Sequence, residues 1–348
     1  MGVVAAGQPL EEIELPDITP TGTEVLVEVT HCGVCHTDVH FWEGELDTGG
    51  PQKVPIAAMG LQLPLVLGHE IIGRVAAMGP DAQGVAVGDL RIVYPWIGCG
   101  HCPACDAGRD DLCEAQAAIG VRARGGFGSH VLVPHPRYLV DPGDLDPAAA
   151  ATLACSGLTT YSAISKLLPL QPDEPVVIIG AGGLGLTAVS ILRALDHRSI
   201  VVVDIDDSRL AAARDAGASA TVNSSDQTDL VPRIREAAGG PVRNAIDFVN
   251  GAQTAPTAFA LPARGGKVVM VGMFGGALHL PLMAVATRSL TLQGSFVGSL
   301  DNLRRLVELA RSGKLKPIPL TIMPKARATE ALAALRDGTM VGRAVLSA

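Results

Sequence analysis

Aromatic side chains are scarce in this sequence: 2 Trp, 3 Tyr and 6 Phe, or 3% of 348 residues. Its cores must therefore be packed from Val, Ile, Leu and Ala. Basic runs are missing too, and the formal net charge is -8. That balance excludes the electrostatic footprint of a nucleic-acid binder or of a protein held on an anionic membrane. No apolar run approaches the roughly 20 residues of a membrane span. The opening stretch, MGVVAAGQPLEEIELPD, has no basic segment followed by an apolar one, and Ala6 stands where a myristoylation pattern needs Ser or Thr. These absences predict a cytoplasmic protein, in which disulfides are rare. Internal repeats and low-complexity tracts are also lacking. With 48% hydrophobic and 18% charged residues the chain is ordinary globular material, long enough for about two domains.

Cysteine is scarce as well, 7 in all, yet four fall in CGHCPACDAGRDDLC. Cys99, Cys102, Cys105 and Cys113 follow C-x2-C-x2-C-x7-C. Short loops between soft ligands let one lobe wrap a zinc ion, and four thiolates close its shell against water. The spacing thus predicts a structural zinc that catalyses nothing. A disulfide-bonded loop and an iron–sulfur site are the alternatives. The missing signal segment speaks against the first, and the spacing differs from common ferredoxin patterns.

Three stretches differ in pattern. Up to about residue 156, short β-like runs such as EVLVEVT, IIGRVAAMG and HVLVPHP alternate with Gly and Pro. From 157 to 293, strand-like and helical runs alternate: VVIIG, IVVVD, ATVN, NAIDFV, KVVMVG and LTLQGSF, with helical segments between them. That order predicts a parallel, doubly wound sheet. From 294 to 348 two amphipathic helices are expected, LRRLVELARSG, stopped at Gly313, and ATEALAALRDG.

The remaining cysteines are Cys32, Cys35 and Cys155. Cys35, with His69 from LVLGHE and Cys155 from ATLACSGLTTY, makes three zinc ligands and leaves a fourth position open for chemistry. Taken singly, each residue has a plain reading: Cys155 as a small buried hydrophobe, His69 as a satisfied polar residue, Cys32 and Cys35 as a dithiol. Their occurrence together before a dinucleotide fold favours the metal. That fold is signalled by GAGGLG, in which Gly180, Gly182 and Gly185 fit G-x-G-x-x-G after a strand and at the start of a helix. Gly180 permits the tight turn, Gly182 lets a pyrophosphate approach, and Gly185 lets the helix pack on the sheet. Asp204 ends the next strand, where an acid accepts hydrogen bonds from a ribose and repels a 2′-phosphate, so NAD is favoured over NADP. Arg209 stands near enough to accommodate that phosphate, but its place in the following helix predicts a solvated face.

CGVCHTDVH, GHE, the four-cysteine lobe, ATLACSGLTTY, GAGGLG, VGMFGG, GSFVGS and the terminal VGRAV together resemble the zinc-containing, medium-chain alcohol dehydrogenase family. The resemblance runs through essentially the whole chain. It implies an α/β protein with a GroES-like, mostly-β catalytic domain from 1–156 and 294–348 and a Rossmann domain from 157–293. It implies reversible oxidation of a primary or secondary alcohol with hydride transfer to NAD, and two zinc ions per chain. Cys35, His69 and Cys155 match the catalytic zinc ligands, Glu70 the acid beside the zinc, and Asp38 the carboxylate that orients His69. Thr37 and His40 match the proton relay, although Thr37 is also a candidate helix N-cap and His40 a candidate surface histidine. His36 matches a cofactor-phosphate contact, Arg343 a pyrophosphate contact, and Thr159, Phe296 and Val297 the lining of the nicotinamide. Gly183 and Leu184, and Gly272 of VGMFGG, join the cofactor contacts. Trp96 matches an aromatic wall of the substrate pocket, and Trp42 is expected beside it.

Two departures stand out. The segment 43–62 is longer than in compact members and is expected to border the substrate cleft. Cys32 is no ligand and reads as a spare thiol. The alternatives are a polyol or other specialised zinc dehydrogenase, and a catalytically silent dinucleotide-binding protein. A homotetramer or homodimer is implied, joined through the strand Leu290–Phe296 as an exposed edge.

Overall fold

A computed structural model describes residues 1–348. Two sheets organise it. The strand Val25–Gly33 alternates buried Val25, Val27 and Val29 with more exposed neighbours such as Glu28, the signature of a half-buried strand. It pairs antiparallel with Glu70–Met78, with His130–Val133 and with the C-terminal strand Arg343–Ser347. Glu70–Met78 continues to Leu90–Val93 and then to Leu139–Val140, while Leu320–Pro324 runs parallel to the C-terminal strand. The first and last parts of the chain therefore share one seven-stranded sheet.

The second sheet has six strands, all parallel. Its spatial order is Ala220–Asn223, Ile200–Asp204, Val176–Ile179, Asn244–Asp247, Lys267–Met270 and Thr291–Gly294. Numbered along the chain this is 3-2-1-4-5-6, the doubly wound order expected of the six runs. Val176–Ile179 is buried at every residue, as a strand covered by helices on both faces must be. The order reverses between Val176–Ile179 and Asn244–Asp247, and the crevice beyond their C-terminal ends is where such sheets take ligands.

Both C-terminal helices are present, at Leu300–Arg311 and Ala328–Arg336. The first buries Leu303, Leu306 and Val307, and Gly313 follows it at φ 75°. It packs against helix Leu158–Ser165 and against the turn Leu153–Gly157. Thr291–Gly294 is outermost in its sheet, as expected of an edge. No helix is long and apolar enough to cross a membrane.

Candidate active site

Three local devices bring Cys35, His69 and Cys155 together. Cys35 immediately precedes helix His36–Glu43, where its backbone N–H donates to Asp38 Oδ2 at 2.8 Å. His69 precedes strand Glu70–Met78, after Gly68 at φ 94°. Cys155 lies in a single π-type turn, Leu153–Gly157, a local widening of the helix that often marks functional positions. The ligand atoms of the three residues lie within 4.8 Å of one another, and all three residues are buried. The neighbouring Cys155 thiol, with His69, holds the Cys35 pKa well below the usual thiol value despite burial. The Cys155 pKa is pushed up in return. A thiolate beside an imidazole is the form a metal requires.

Asp38 is fully buried and accepts Gly68 N–H through Oδ1 at 3.1 Å, with the same oxygen 3.3 Å from His69 Nδ1. Burial opposes protonation of His69, but the Asp38 carboxylate and the Cys35 sulfur together outweigh it and raise the imidazole's pKa well above the ordinary value. Neither ring nitrogen makes a hydrogen bond: Nδ1 has only its approach to Asp38, and Nε2, on the other side of the ring, is buried without any partner. A buried imidazole nitrogen left unsatisfied beside two thiols fits a soft divalent metal such as zinc.

Glu70 is also fully buried. Its Oε1 accepts Ser156 N–H at 2.9 Å and lies 2.5 Å from Arg343 Nη2. Burial raises the Glu70 pKa, and Arg343 works against that rise. Arg343 lies under the glycine-rich turn, where a Cβ on Gly183 would sit 2.3 Å from its Cδ. Its guanidinium thus points toward the metal cluster, while its stem supports the dinucleotide turn.

Thr37, His40 and His36 all face one cavity from helix His36–Glu43. The helix is capped at Cys35, so Thr37 is not its N-cap. Thr37 Oγ1 lies 3.9 Å from Cys35 Sγ. His40 Nε2 is buried and unpartnered, and burial lowers its pKa. Burial lowers the His36 pKa to about 4, and its ring packs 5.1 Å from that of Phe274.

The glycine-rich turn follows Val176–Ile179 and opens helix Gly183–Ala194. Gly180 has φ 94°, and a Cβ on Gly185 would fall 1.8 Å from the Gly180 carbonyl oxygen. A Cβ on Gly182 would meet nothing within 4 Å, so open space lies above the helix N-terminus where a pyrophosphate fits. Asp204 accepts Ala181 N–H at 2.6 Å and Asp206 N–H at 3.0 Å, which locks the turn to the next strand. Arg209 does not lie on a solvated face. Its guanidinium is 3.9 Å from Asp204 and also bonds the Gly338 carbonyl, because the C-terminal segment folds over that helix.

The cavity itself measures about 390 Å³, and 17 of its 27 lining residues are hydrophobic. Cys35, Cys155, Thr159, Leu184, Gly272 and Val297 all border it, so the metal cluster and the dinucleotide turn open onto one space. Trp96 forms a wall, 5.4 Å from the His69 ring and 5.8 Å from Phe296. Trp42 lies elsewhere. Its indole N–H donates to the Gln8 carbonyl at 2.6 Å and Arg336 sits 5.2 Å over its ring, so it is a packing residue and not a pocket wall. Leu46, Met59 and Leu61 bring the long segment 43–62 to the cavity, as expected. Cys32 is fully buried, and burial raises its thiol's pKa. Sequence reading passed over Phe248, Met273 and Phe274, which also line the cavity. Two of these lie within VGMFGG and carried a motif signal without a local one.

In the four-cysteine lobe, which reaches the cavity at Cys113, the ligand atoms of Cys99, Cys102, Cys105 and Cys113 also lie within 4.8 Å of one another. Cys102 and Cys105 sulfurs are 3.6 Å apart and Cys99 and Cys105 sulfurs 4.0 Å. Tetrahedral zinc thiolates place sulfurs about 3.8 Å apart, so the lobe fits the ion.

Comparison with known proteins agrees with this geometry. Residues 21–142 match the alcohol dehydrogenase GroES-like domain, and residues 183–312 match the zinc-binding dehydrogenase model. The NAD-dependent alcohol dehydrogenase of Sulfurisphaera tokodaii is 38% identical over 350 residues, covering 99% of each chain. The D-arabinose 1-dehydrogenase (NADP(+)) of Saccharolobus solfataricus is 34% identical, covering 97% of this chain and 93% of its own. The crystal structure of the alcohol dehydrogenase from Aeropyrum pernix superposes with a TM-score of 0.88 at 30% identity, covering all of both chains. The chain therefore belongs to the zinc-containing, medium-chain alcohol dehydrogenase family.

Proposed function

We propose that the chain is an NAD-dependent zinc alcohol dehydrogenase that oxidises primary or secondary alcohols with apolar substituents, and reduces the matching aldehydes or ketones. The observation that carries this reading is the three-ligand cluster of Cys35, His69 and Cys155, with its buried, unpartnered imidazole, whose two cysteines border the cavity that the dinucleotide turn also borders. Zinc held by these residues supplies Lewis acidity toward an alcohol or carbonyl oxygen, and NAD supplies a hydride acceptor. The chain's own residues do the rest. Asp38 orients His69. Thr37 receives the alcohol proton and His40, one helical turn further on, holds it next. Leu46, Trp96 and Phe296 exclude water from the reacting carbon.

In this reading the catalytic unit comprises 1–156 and 294–348, and the cofactor unit 157–293. Each chain carries two zinc ions, the second in the four-cysteine lobe. All seven cysteines are unpaired, which suits a reducing, cytoplasmic setting. Two or four copies join through the edge Thr291–Gly294, beside which Leu282 and Met283 are 82% and 74% exposed. A polyol substrate fits less well, since most of the cavity wall is apolar.

Rates of NAD reduction across primary, secondary, aryl and polyhydric alcohols test the proposal. Turnover with at least one monohydric class is expected, and turnover with polyols alone would overturn the substrate assignment. Two variants probe the roles. His40→Ala is expected to slow alcohol oxidation roughly 10²-fold at low pH and little at high pH. The sign follows from the neutral imidazole: burial lowers its pKa, so it accepts a proton at neutral pH, and hydroxide replaces it only as pH rises. An unchanged pH–rate profile would remove His40 from the relay. Asp204→Gly is expected to weaken NAD binding roughly tenfold and NADP binding less; equal losses, measured by titration, would count against the ribose role.

A further inference from the structure

The segment that carries Phe296 is anchored at both ends and strained between them. At one end Lys166 Nζ donates to Ser295 Oγ at 2.9 Å and to Ser162 Oγ at 3.0 Å. At the other end the Tyr94 hydroxyl donates to the Gly298 carbonyl at 2.9 Å. Gly298 is wedged on helix Leu158–Ser165, where a Cβ would lie 2.9 Å from both Leu158 Cδ1 and Ser162 Cβ. Between the anchors, buried Val297 has φ 38°, a left-handed conformation that a β-branched residue adopts only when its surroundings impose it. Phe296, next to it, is half exposed and meets Trp96 edge-on at 5.8 Å.

Tyr94 is the one side chain of the seven-stranded sheet's side that holds this segment by a hydrogen bond. It follows strand Leu90–Val93 and is fully buried. Its N–H donates to the Tyr138 carbonyl at 2.8 Å, and the two tyrosine rings stack at 6.1 Å with an interplanar angle of 9°. The Tyr138 hydroxyl in turn donates to Asp110 Oδ1 at 2.8 Å, within the four-cysteine lobe. The hydroxyl of Tyr94 is thus aimed by a rigid stack, and burial keeps it protonated as a donor.

We propose that Tyr94 is a positioning residue: its bond to the Gly298 carbonyl imposes the strained turn at Val297 and so sets Phe296 and Val297 against Trp96 at the cofactor end of the cavity. The proposal rests on the dehydrogenase reading only where NADH is used to detect it. Without the hydroxyl, a buried carbonyl loses its partner and Val297 relaxes toward negative φ. Phe296 then leaves Trp96, and the wall that receives the nicotinamide moves.

Tyr94→Phe keeps the ring and its stacking and removes only the donor. In a Trp42→Phe background Trp96 is the sole tryptophan, and its emission should change on adding Tyr94→Phe. In the otherwise native chain, Tyr94→Phe should weaken NADH binding about tenfold, as read by nucleotide fluorescence, and raise KM for NAD more than it lowers kcat. Val297→Gly supplies the discriminating control. Glycine adopts positive φ without strain, so in that background Tyr94→Phe should cost less than half as much NADH affinity on a logarithmic scale. Equal losses in both backgrounds, or native NADH affinity with unchanged Trp96 emission in Tyr94→Phe, would overturn the proposal. If the native chain bound no NADH, the dehydrogenase reading would fail, while the Trp96 signal would still decide the role of Tyr94.

Discussion

His69→Ala is expected to lower NAD-linked alcohol oxidation by about 10³-fold or more while leaving the secondary structure in place. The reason lies in what the imidazole does on its two sides. Nδ1 faces the buried carboxylate of Asp38, and Nε2 faces two thiols with no other partner. Removing the ring opens the ligand set and leaves Cys35 and Cys155 to hold a metal alone. Asp38 keeps its bonds from the N–H groups of Cys35 and Gly68, so its buried charge is not stranded and the fold survives. Elemental analysis should find the metal of the four-cysteine lobe retained and that of the cavity lost. Cys35→Ala and Cys155→Ala should behave alike. Native turnover in any of the three, at equal protein and metal supply, would remove that residue from the ligand set.

The second large effect separates two glycines of one turn. Gly185→Ala should abolish measurable NAD binding and destabilise the chain by about 3 kcal/mol, because the new Cβ would lie 1.8 Å from the Gly180 carbonyl oxygen. Helix and strand would have to separate, and with them the helix N-terminus that faces the pyrophosphate. Gly182→Ala should leave the melting temperature nearly unchanged, since its Cβ would meet no protein atom within 4 Å, yet it should weaken NAD binding strongly. Thermal melting and cofactor titration on the two variants check this pair. Loss of stability without loss of NAD affinity in Gly182→Ala would contradict the cofactor cradle.

How far these features were legible depends on the range over which each is encoded. Cys99 to Cys113 is a local signal, because the loops between the ligands are short enough for spacing alone to predict convergence. The six strand-like runs are local too, and their doubly wound order follows from the alternation with helices. The cavity cluster is different. Cys35 and Cys155 are 120 positions apart, and nothing in spacing joins them; their grouping rests on their occurrence together before a dinucleotide fold and on likeness to a family. The π-type turn that carries Cys155 has no sequence signature, since it arises where helices Pro147–Thr152 and Leu158–Ser165 meet. Trp42 and Trp96 look alike as isolated aromatics, and only tertiary packing puts Trp42 under Arg336 and Trp96 beside His69. Arg209 read as a solvated helix residue because the segment that covers it, around Gly338, lies 129 positions away. Tyr94 carried no signal at all: its partner is a backbone carbonyl contributed by a distant part of the chain.

Hydride passes between an alcohol carbon and NAD, on this reading, in the cavity bordered by Cys35 and Cys155, with His69 as the third ligand. The most direct measurement uses an alcohol carrying deuterium on its hydroxyl-bearing carbon, with NAD and the zinc-replete chain, and reads the reduced cofactor by mass spectrometry. One deuterium, carried as deuteride, should appear on the nicotinamide ring, at a rate that His69→Ala abolishes. Reduced cofactor free of deuterium, or labelled cofactor formed equally fast by His69→Ala, would contradict it.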